Sequence, residues 1–149
     1  MIIPVSIIIL VKDVSELGCK LWMQQRSENG PLNGLLEFPG GKIEDGELPI
    51  SACKRELKEE SQIDITHLEQ FKIVSYEYKD RSVCLFVHFA NGQELVPLNG
   101  DWFDFTFKSK SLAYKDRLPA VNYEIIDDLL DYLKKHLDAG FLEKIWVQK

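Results

Sequence analysis

Cysteine is scarce in this chain. Only Cys19, Cys53 and Cys84 occur. An odd count without paired spacing excludes a disulfide framework and a cysteine-rich zinc site, and leaves reduced thiols, as expected of a cytoplasmic protein. Histidine does not cluster either: His67, His88 and His136 are far apart in sequence and read as structural or surface residues. No apolar run is long enough to span a bilayer. Residues 1–11 are apolar but lack a basic flank and a small-residue cleavage site, so they read as a buried strand rather than a signal peptide. Basic charge is not in excess. The formal net charge of −6 argues against an extended nucleic-acid surface, although a small phosphorylated ligand remains open if metal ions supply positive charge. Repeats, low-complexity tracts and linkers are absent. The 149 residues suit one domain, 1–149, with a proper core.

What is present reads as strands and two helices. The β-branched run at 5–11 suggests a central strand, followed by strands at 20–25 and 35–38. Residues 71–78 and 83–89 look like a hairpin through Lys79-Asp80-Arg81, and 102–107 like a further strand. Pro49 suits the first turn of a helix, where its missing N–H is no loss. Ile50, Cys53 and Leu57 then form a core-facing stripe, which makes Cys53 an inert core thiol. Residues 123–137 carry apolar groups at 125, 126, 129, 130, 133 and 137, an amphipathic helix that Ala139-Gly140 stops. A short C-terminal extension spans 139–149, and its last nine residues, 141–149, are apolar enough to pack back. The expected fold class is α/β or α+β: a mixed β-sheet with a helix on each face.

The chemistry concentrates on the first helix. Glu56, Glu59 and Glu60 lie at i, i+3 and i+4, one face of a helix. Three like charges so close repel each other. A hard divalent cation, which takes oxygen ligands and in turn binds phosphates, is the natural reason to keep them. The competing reading is a solvated face with Glu–Lys pairs through Lys54 and Lys58.

The flanking pattern decides between them. Gly41, five residues, Glu47, seven residues, Arg55-Glu56-Leu57-Lys58-Glu59-Glu60, two residues and Ile63 together resemble the Nudix box. Residue frequencies alone put a chance match on the order of one in 10⁵–10⁶. One position departs: Gln62 stands where the family usually has glycine. A left-handed residue at a helix C-terminus is common, and a non-glycine there costs roughly 1 kcal/mol. Leu48 is a poor N-cap. The resemblance covers most of residues 3–137 and is nearest to MutT-type nucleoside triphosphate pyrophosphohydrolases. It rests on Leu36-Glu37-Phe38-Pro39-Gly40-Gly41-Lys42-Ile43-Glu44, Tyr76-Glu77-Tyr78 with Asp80-Arg81, Gly100-Asp101-Trp102, and Leu118-Pro119-Ala120 with Asn122.

That resemblance implies an α/β/α sandwich and a small-molecule nucleotide as substrate. It implies Mg²⁺ or Mn²⁺ held by Glu56, Glu59 and Glu60 with the Gly41 carbonyl, and Arg55 paired with Glu47 to brace the loop. Asp101 matches an acidic residue that serves as metal ligand or base, with Glu56 as the competing base. Arg26 and Arg81 match nucleotide-contacting positions; a planar guanidinium fork suits phosphate. Phe38 would place one edge in the pocket. Asn122 would read a purine edge, though it is also a good N-cap for the second helix. The implied activity is hydrolysis of a purine nucleoside triphosphate, dGTP or 8-oxo-dGTP, to monophosphate and pyrophosphate. The alternatives are another Nudix substrate (CTP, a nucleotide sugar, a dinucleoside polyphosphate or an RNA 5′ end) or a nucleotide-sensing module without turnover. Monomer and homodimer are both open.

Overall fold

The central strand forms where the β-branched run predicts it and is longer than expected. The computed structural model describes residues 1–27, 29–30 and 32–140. β1 (Ile2–Lys12) is followed by β2 (Gly18–Gln25), β3 (Leu36–Glu37), β4 (Gly40–Lys42) and helix α1 (Pro49–Ser61). Then come β5 (Glu69–Glu77), β6 (Ser82–Asn91), β7 (Asp101–Thr106), a 3₁₀ turn (Lys110–Tyr114) and helix α2 (Ala120–Asp138). The expectation that 141–149 pack back lies outside the described residues.

The sheet is mixed and runs β3-β2-β1-β6-β5, with β4 added to β1 and β7 to β2. β1 and β6 pair in parallel from Ile2–Ser82 to Val11–Asn91, and the other pairings are antiparallel. Ile8, Ile9, Leu10 and Val11 have no solvent exposure, as a strand covered on both faces requires. Alternation divides them. Ile7, Ile9 and Val11 join Ile125, Ile126, Leu129, Leu130 and Leu133 of α2 in one core. Ile8 and Leu10 join Trp22, Cys53 and Leu57 in the other, under α1. A helix therefore covers each face.

One edge of β1 positions the site. Its start pairs with β4 through Val5–Lys42, Ser6–Gly41 and Ile7–Gly40, and its end with β2 through Val11–Leu21 and Lys12–Lys20. Between them the Ile8 N–H donates to the Pro39 carbonyl at 3.0 Å. The turn at 38–41 is thus pressed onto the central strand. A Cβ at Gly40 would fall 2.2 Å from the Ser6 carbonyl oxygen, so only glycine permits this pairing.

Three local expectations change. Ile50 is not on the buried stripe of α1; it is 38% exposed, and Ala52 takes its place beside Cys53, Leu57 and Ser61. Asn122 is not an N-cap, because α2 begins one turn earlier with Pro119 as the flanking residue. Pro119 lacks an N–H and presets the backbone for a helix start, which carries Asn122 into the first turn, where it is buried. β4 and the 3₁₀ turn were not foreseen, being too short to show a period. Other expectations stand. Leu48 makes no side-chain cap; the buried Ser6 hydroxyl ties the helix start to β1 by donating to the Pro49 carbonyl at 2.6 Å. Gln62 ends α1 in the left-handed region, φ 57° and ψ 35°. Cys53 is fully buried, and burial pushes its thiol up to about 12. His88 is buried with Nδ1 3.1 Å from the Ile7 carbonyl oxygen, and desolvation lowers its pKa. Among the described residues no helix is long and apolar enough to cross a membrane.

Candidate active site

The loop after β4 and the first turns of α1 are joined by a single guanidinium. Arg55 Nε donates to Glu47 Oε2 at 2.8 Å and Nη2 to Oε1 at 3.0 Å, a bidentate fork. Nη1 donates to Glu56 Oε1 at 2.8 Å, and Nη2 also to the Lys42 carbonyl at 3.1 Å. Glu59 Oε2 lies 3.6 Å from Nη1. The hydrogen bond from Arg55, with a second from the Glu44 backbone, holds the Glu47 carboxyl down at about 2. The Arg55 pKa is raised, first by Glu47 and then by Glu56. The expected Arg55–Glu47 brace is therefore present, and it also aims Glu56.

Glu56 and Glu60 both meet the β4 backbone, at Gly41 and Gly40. A Cβ on Gly41 would lie 2.5 Å from Glu56 Oε1 and 2.6 Å from its Cδ, so the carboxylate occupies the space any side chain would need. The Gly40 N–H donates to Glu60 Oε1 at 3.2 Å. Burial pushes the Glu60 pKa up to about 7, with the Gly40 N–H opposing and Glu56, Glu37 and Glu59 adding to the rise. Glu59 is exposed beside them. As the side chains lie, Glu56 is engaged by Arg55 and Glu60 by Gly40. No three Asp, Glu, His or Cys side chains converge on one point among the described residues.

The same two glycines line a cavity of about 310 Å³. Arg26, Phe38, Arg81 and Asn122 all line it, although they come from the residue after β2, the β3–β4 turn, the β5–β6 turn and α2. Phe38 is 4% exposed, consistent with a core residue that keeps one edge in the cavity. Arg26 Nη1 donates to Glu37 Oε2 at 2.6 Å, both half-buried. Arg81 pairs with Asp80 at 3.3 Å, and the turn closes through the Tyr78 N–H on the Arg81 carbonyl at 2.7 Å. The buried Asn122 donates its backbone N–H to the Pro119 carbonyl at 2.9 Å.

Asp101 is not among the residues that line the cavity. It opens β7 exposed to solvent and pairs with Met23. Directly opposed residues share a face of the sheet, and Met23 belongs to the α2-side core, away from the carboxylates of α1. Sequence reasoning passed over Glu37 and Tyr78 as site residues, yet both line the cavity. The available signal for Tyr78 was its place at the mouth of the Lys79-Asp80 turn, across from Arg81. Glu37 carried a weaker one, its position beside Phe38 in a two-residue strand.

Residues 3–129 match the model of the NUDIX domain. The chain belongs to that family. This Nudix chain is 40% identical over 110 residues to the 8-oxo-dGTP diphosphatase of Escherichia coli, covering 74% of this chain and 85% of the relative. It is 29% identical over 117 residues to that of Haemophilus influenzae, with 78% and 85% covered. Among solved structures it matches a MutT from a study of the Aliivibrio salmonicida and Vibrio cholerae proteins. The TM-score there is 0.60 at 21% identity, over 91% of this chain and 99% of that one; this likeness shows the α+β Nudix fold. As a Nudix hydrolase, the protein acts on phosphoric anhydride bonds.

Proposed function

We propose that the protein hydrolyses a purine nucleoside triphosphate, dGTP or 8-oxo-dGTP, to the monophosphate and pyrophosphate with Mg²⁺ or Mn²⁺. The observation that carries this reading is the meeting of two sites at Gly40-Gly41. A cavity with guanidinium, aromatic and amide groups is lined by these two glycines, and the Glu56 and Glu60 carboxylates reach the same two residues. The relatives named 8-oxo-dGTP diphosphatase support the choice of nucleotide.

The residues fit a divalent cation. Glu56, Glu59 and Glu60 supply only oxygen, the donor hard cations prefer. The glycine at 41 brings backbone closer to the Glu56 carboxylate than any residue with a Cβ could. Those three carboxylates with the Gly41 carbonyl would hold the ion. When bound it supplies positive charge against the phosphate oxygens and makes water more acidic.

The chain does the rest. Glu47 fixes Arg55, and Arg55 holds Glu56. Arg26 and Arg81 take phosphate or sugar oxygens with their planar forks. Phe38 and Tyr78 wall the base, and the Asn122 amide offers it one acceptor and two donors. One water adds across a phosphoric anhydride bond. Its oxygen bonds to phosphorus, the bond to the bridging oxygen breaks, and its proton passes to a carboxylate. Of the two candidates, Glu56 lies against the β4 turn, whereas Asp101 shares its face with Met23, so Glu56 is the proposed base.

The test is a panel of nucleoside triphosphates, CTP, nucleotide sugars, dinucleoside polyphosphates and 5′-triphosphate RNA, with Mg²⁺ and Mn²⁺, read by product chromatography. Pyrophosphate and a purine monophosphate are expected. No pyrophosphate from any nucleoside triphosphate would remove the reading. Nucleotide binding without turnover would leave a sensing module in its place.

A further inference from the structure

The β6–β7 connection, residues 92–100, is tied down at both ends. At its start the Gly92 N–H donates to the Val11 carbonyl at 2.7 Å. There too Gln93 pairs with Asp13, Nε2 to Oδ1 at 2.6 Å and Oε1 from the Asp13 N–H at 2.8 Å. At its end the loop closes on α1. The Leu98 N–H donates to the Ser61 carbonyl at 3.0 Å, and Asn99 Nδ2 donates to the Glu60 carbonyl at 2.8 Å. The last carbonyls of a helix have no partner within it; here two of them are satisfied from a segment some forty residues later in sequence.

Asn99 has a further constraint. Its φ is +68°, a conformation that glycine, asparagine and aspartate enter at lower cost than most residues. Of these three only asparagine carries a side-chain N–H. The position therefore demands a left-handed backbone and a donor together, and the donor acts on the main chain of one of the three carboxylates. Glu60 is held twice: Gly40 fixes its carboxylate and Asn99 its backbone. Gln24, whose amide donates to the Ser61 hydroxyl at 3.2 Å, steadies the next residue.

We propose that Asn99 is a positioning residue, which sets the height and rotation of the last turn of α1 so that Glu60 presents its carboxylate beside Glu56 and Glu59. This rests on the reading of that face as a divalent-cation site. It predicts that the donor, and not merely a well-anchored loop, governs the site.

The experiment compares Asn99→Gly, Asn99→Asp and Gln93→Ala in the full chain. Asn99→Gly keeps the backbone conformation and deletes the donor; Asn99→Asp keeps shape and conformation but sets a carboxylate against a carbonyl. Gln93→Ala loosens the same loop at the end remote from α1. Mn²⁺ affinity is read from the free-ion electron paramagnetic resonance signal, alongside kcat, KM and melting temperature. Loss of one hydrogen bond that aims a ligand should weaken Mn²⁺ by about tenfold in both Asn99 variants, with a similar fall in kcat and KM little changed. Gln93→Ala should lower the melting temperature and leave Mn²⁺ affinity and kcat within about twofold. Asn99 variants that melt earlier yet bind Mn²⁺ like the parent would reduce the contact to a stability tie and overturn the proposal. A parent that neither bound Mn²⁺ nor turned over nucleotide would instead remove the reading beneath it, and the proposal with it.

Discussion

Adding one methyl group at Gly41 should separate chemistry from folding. The residue does not have a positive φ, so alanine fits its backbone. The obstacle is local: the new Cβ would sit 2.5 Å from Glu56 Oε1, where ordinary contact begins at 3.4 Å. The carboxylate must retreat by about 0.9 Å, and it can, being the end of a flexible side chain. It cannot retreat alone, because Arg55 holds it at 2.8 Å and is itself forked onto Glu47. Stability should hardly change, since Gly→Ala at a compatible position alters it by no more than about 1 kcal/mol, or about 3 °C for a chain of this length. Turnover should suffer, because misplacing a catalytic group by about 1 Å costs on the order of a hundredfold. Steady-state pyrophosphate release with dGTP and Mg²⁺ should show kcat down by that factor, with a melting temperature near the parent's. A Gly41→Ala enzyme with kcat within about threefold of the parent would refute the placement of Glu56 against this turn as a requirement of catalysis.

Other perturbations address the remaining groups. Glu59 is exposed, so Glu59→Gln should melt as the parent does, within about 0.5 kcal/mol, while kcat falls at least about a hundredfold; parental turnover would take Glu59 out of the cation site. Asn122→Ala removes an amide that lines the cavity and should raise KM for dGTP about tenfold with kcat nearly unchanged, narrowing the preference over dCTP; an unaltered dGTP/dCTP ratio of kcat/KM would deny it a role in base selection. Glu60 should give a pH signature. Its pKa rises on folding from 4.5 to about 7, so the folded state binds the extra proton between those values. Its contribution is fully present below pH 4.5 and is lost as pH rises through 7. Relative to Glu60→Gln, the cation-free parent should therefore lose melting temperature between pH 5 and 8. Mn²⁺ affinity should rise over the same interval, because the ion must displace that proton. A difference in melting temperature that did not vary with pH would contradict the burial of an ionisable Glu60.

How much could be foreseen depends on whether a feature belongs to side chains or to backbone. Long elements declared themselves: the apolar run of β1 and the spacing of Ile125, Ile126, Leu129, Leu130 and Leu133 are legible in the sequence, and the structure buries those five residues and residues 8–11 completely. Asn122 was misplaced as a cap because two competing helix starts stand within four residues, and proline at 119 prevails. That Arg26, Phe38, Arg81 and Asn122 share a cavity was legible only through family resemblance, since no spacing rule joins four residues from different elements. Glu56, Glu59 and Glu60 were visible from their i, i+3, i+4 pattern, but what orients them was not. Glu60 answers to the Gly40 N–H and, through its own carbonyl, to Asn99; Glu56 answers to the room that Gly41 leaves open. Main-chain N–H and C=O groups are the same at every position, so their use leaves almost no trace in composition or periodicity. The trace that does remain is indirect. It is a residue chosen for what its backbone permits: glycine at 40, where the Ser6 carbonyl leaves no room for a side chain, and asparagine at 99, where a positive φ and a donor are needed together. Positions of that kind, rather than the carboxylates alone, should distinguish a working site from an acidic helix face of the same spacing.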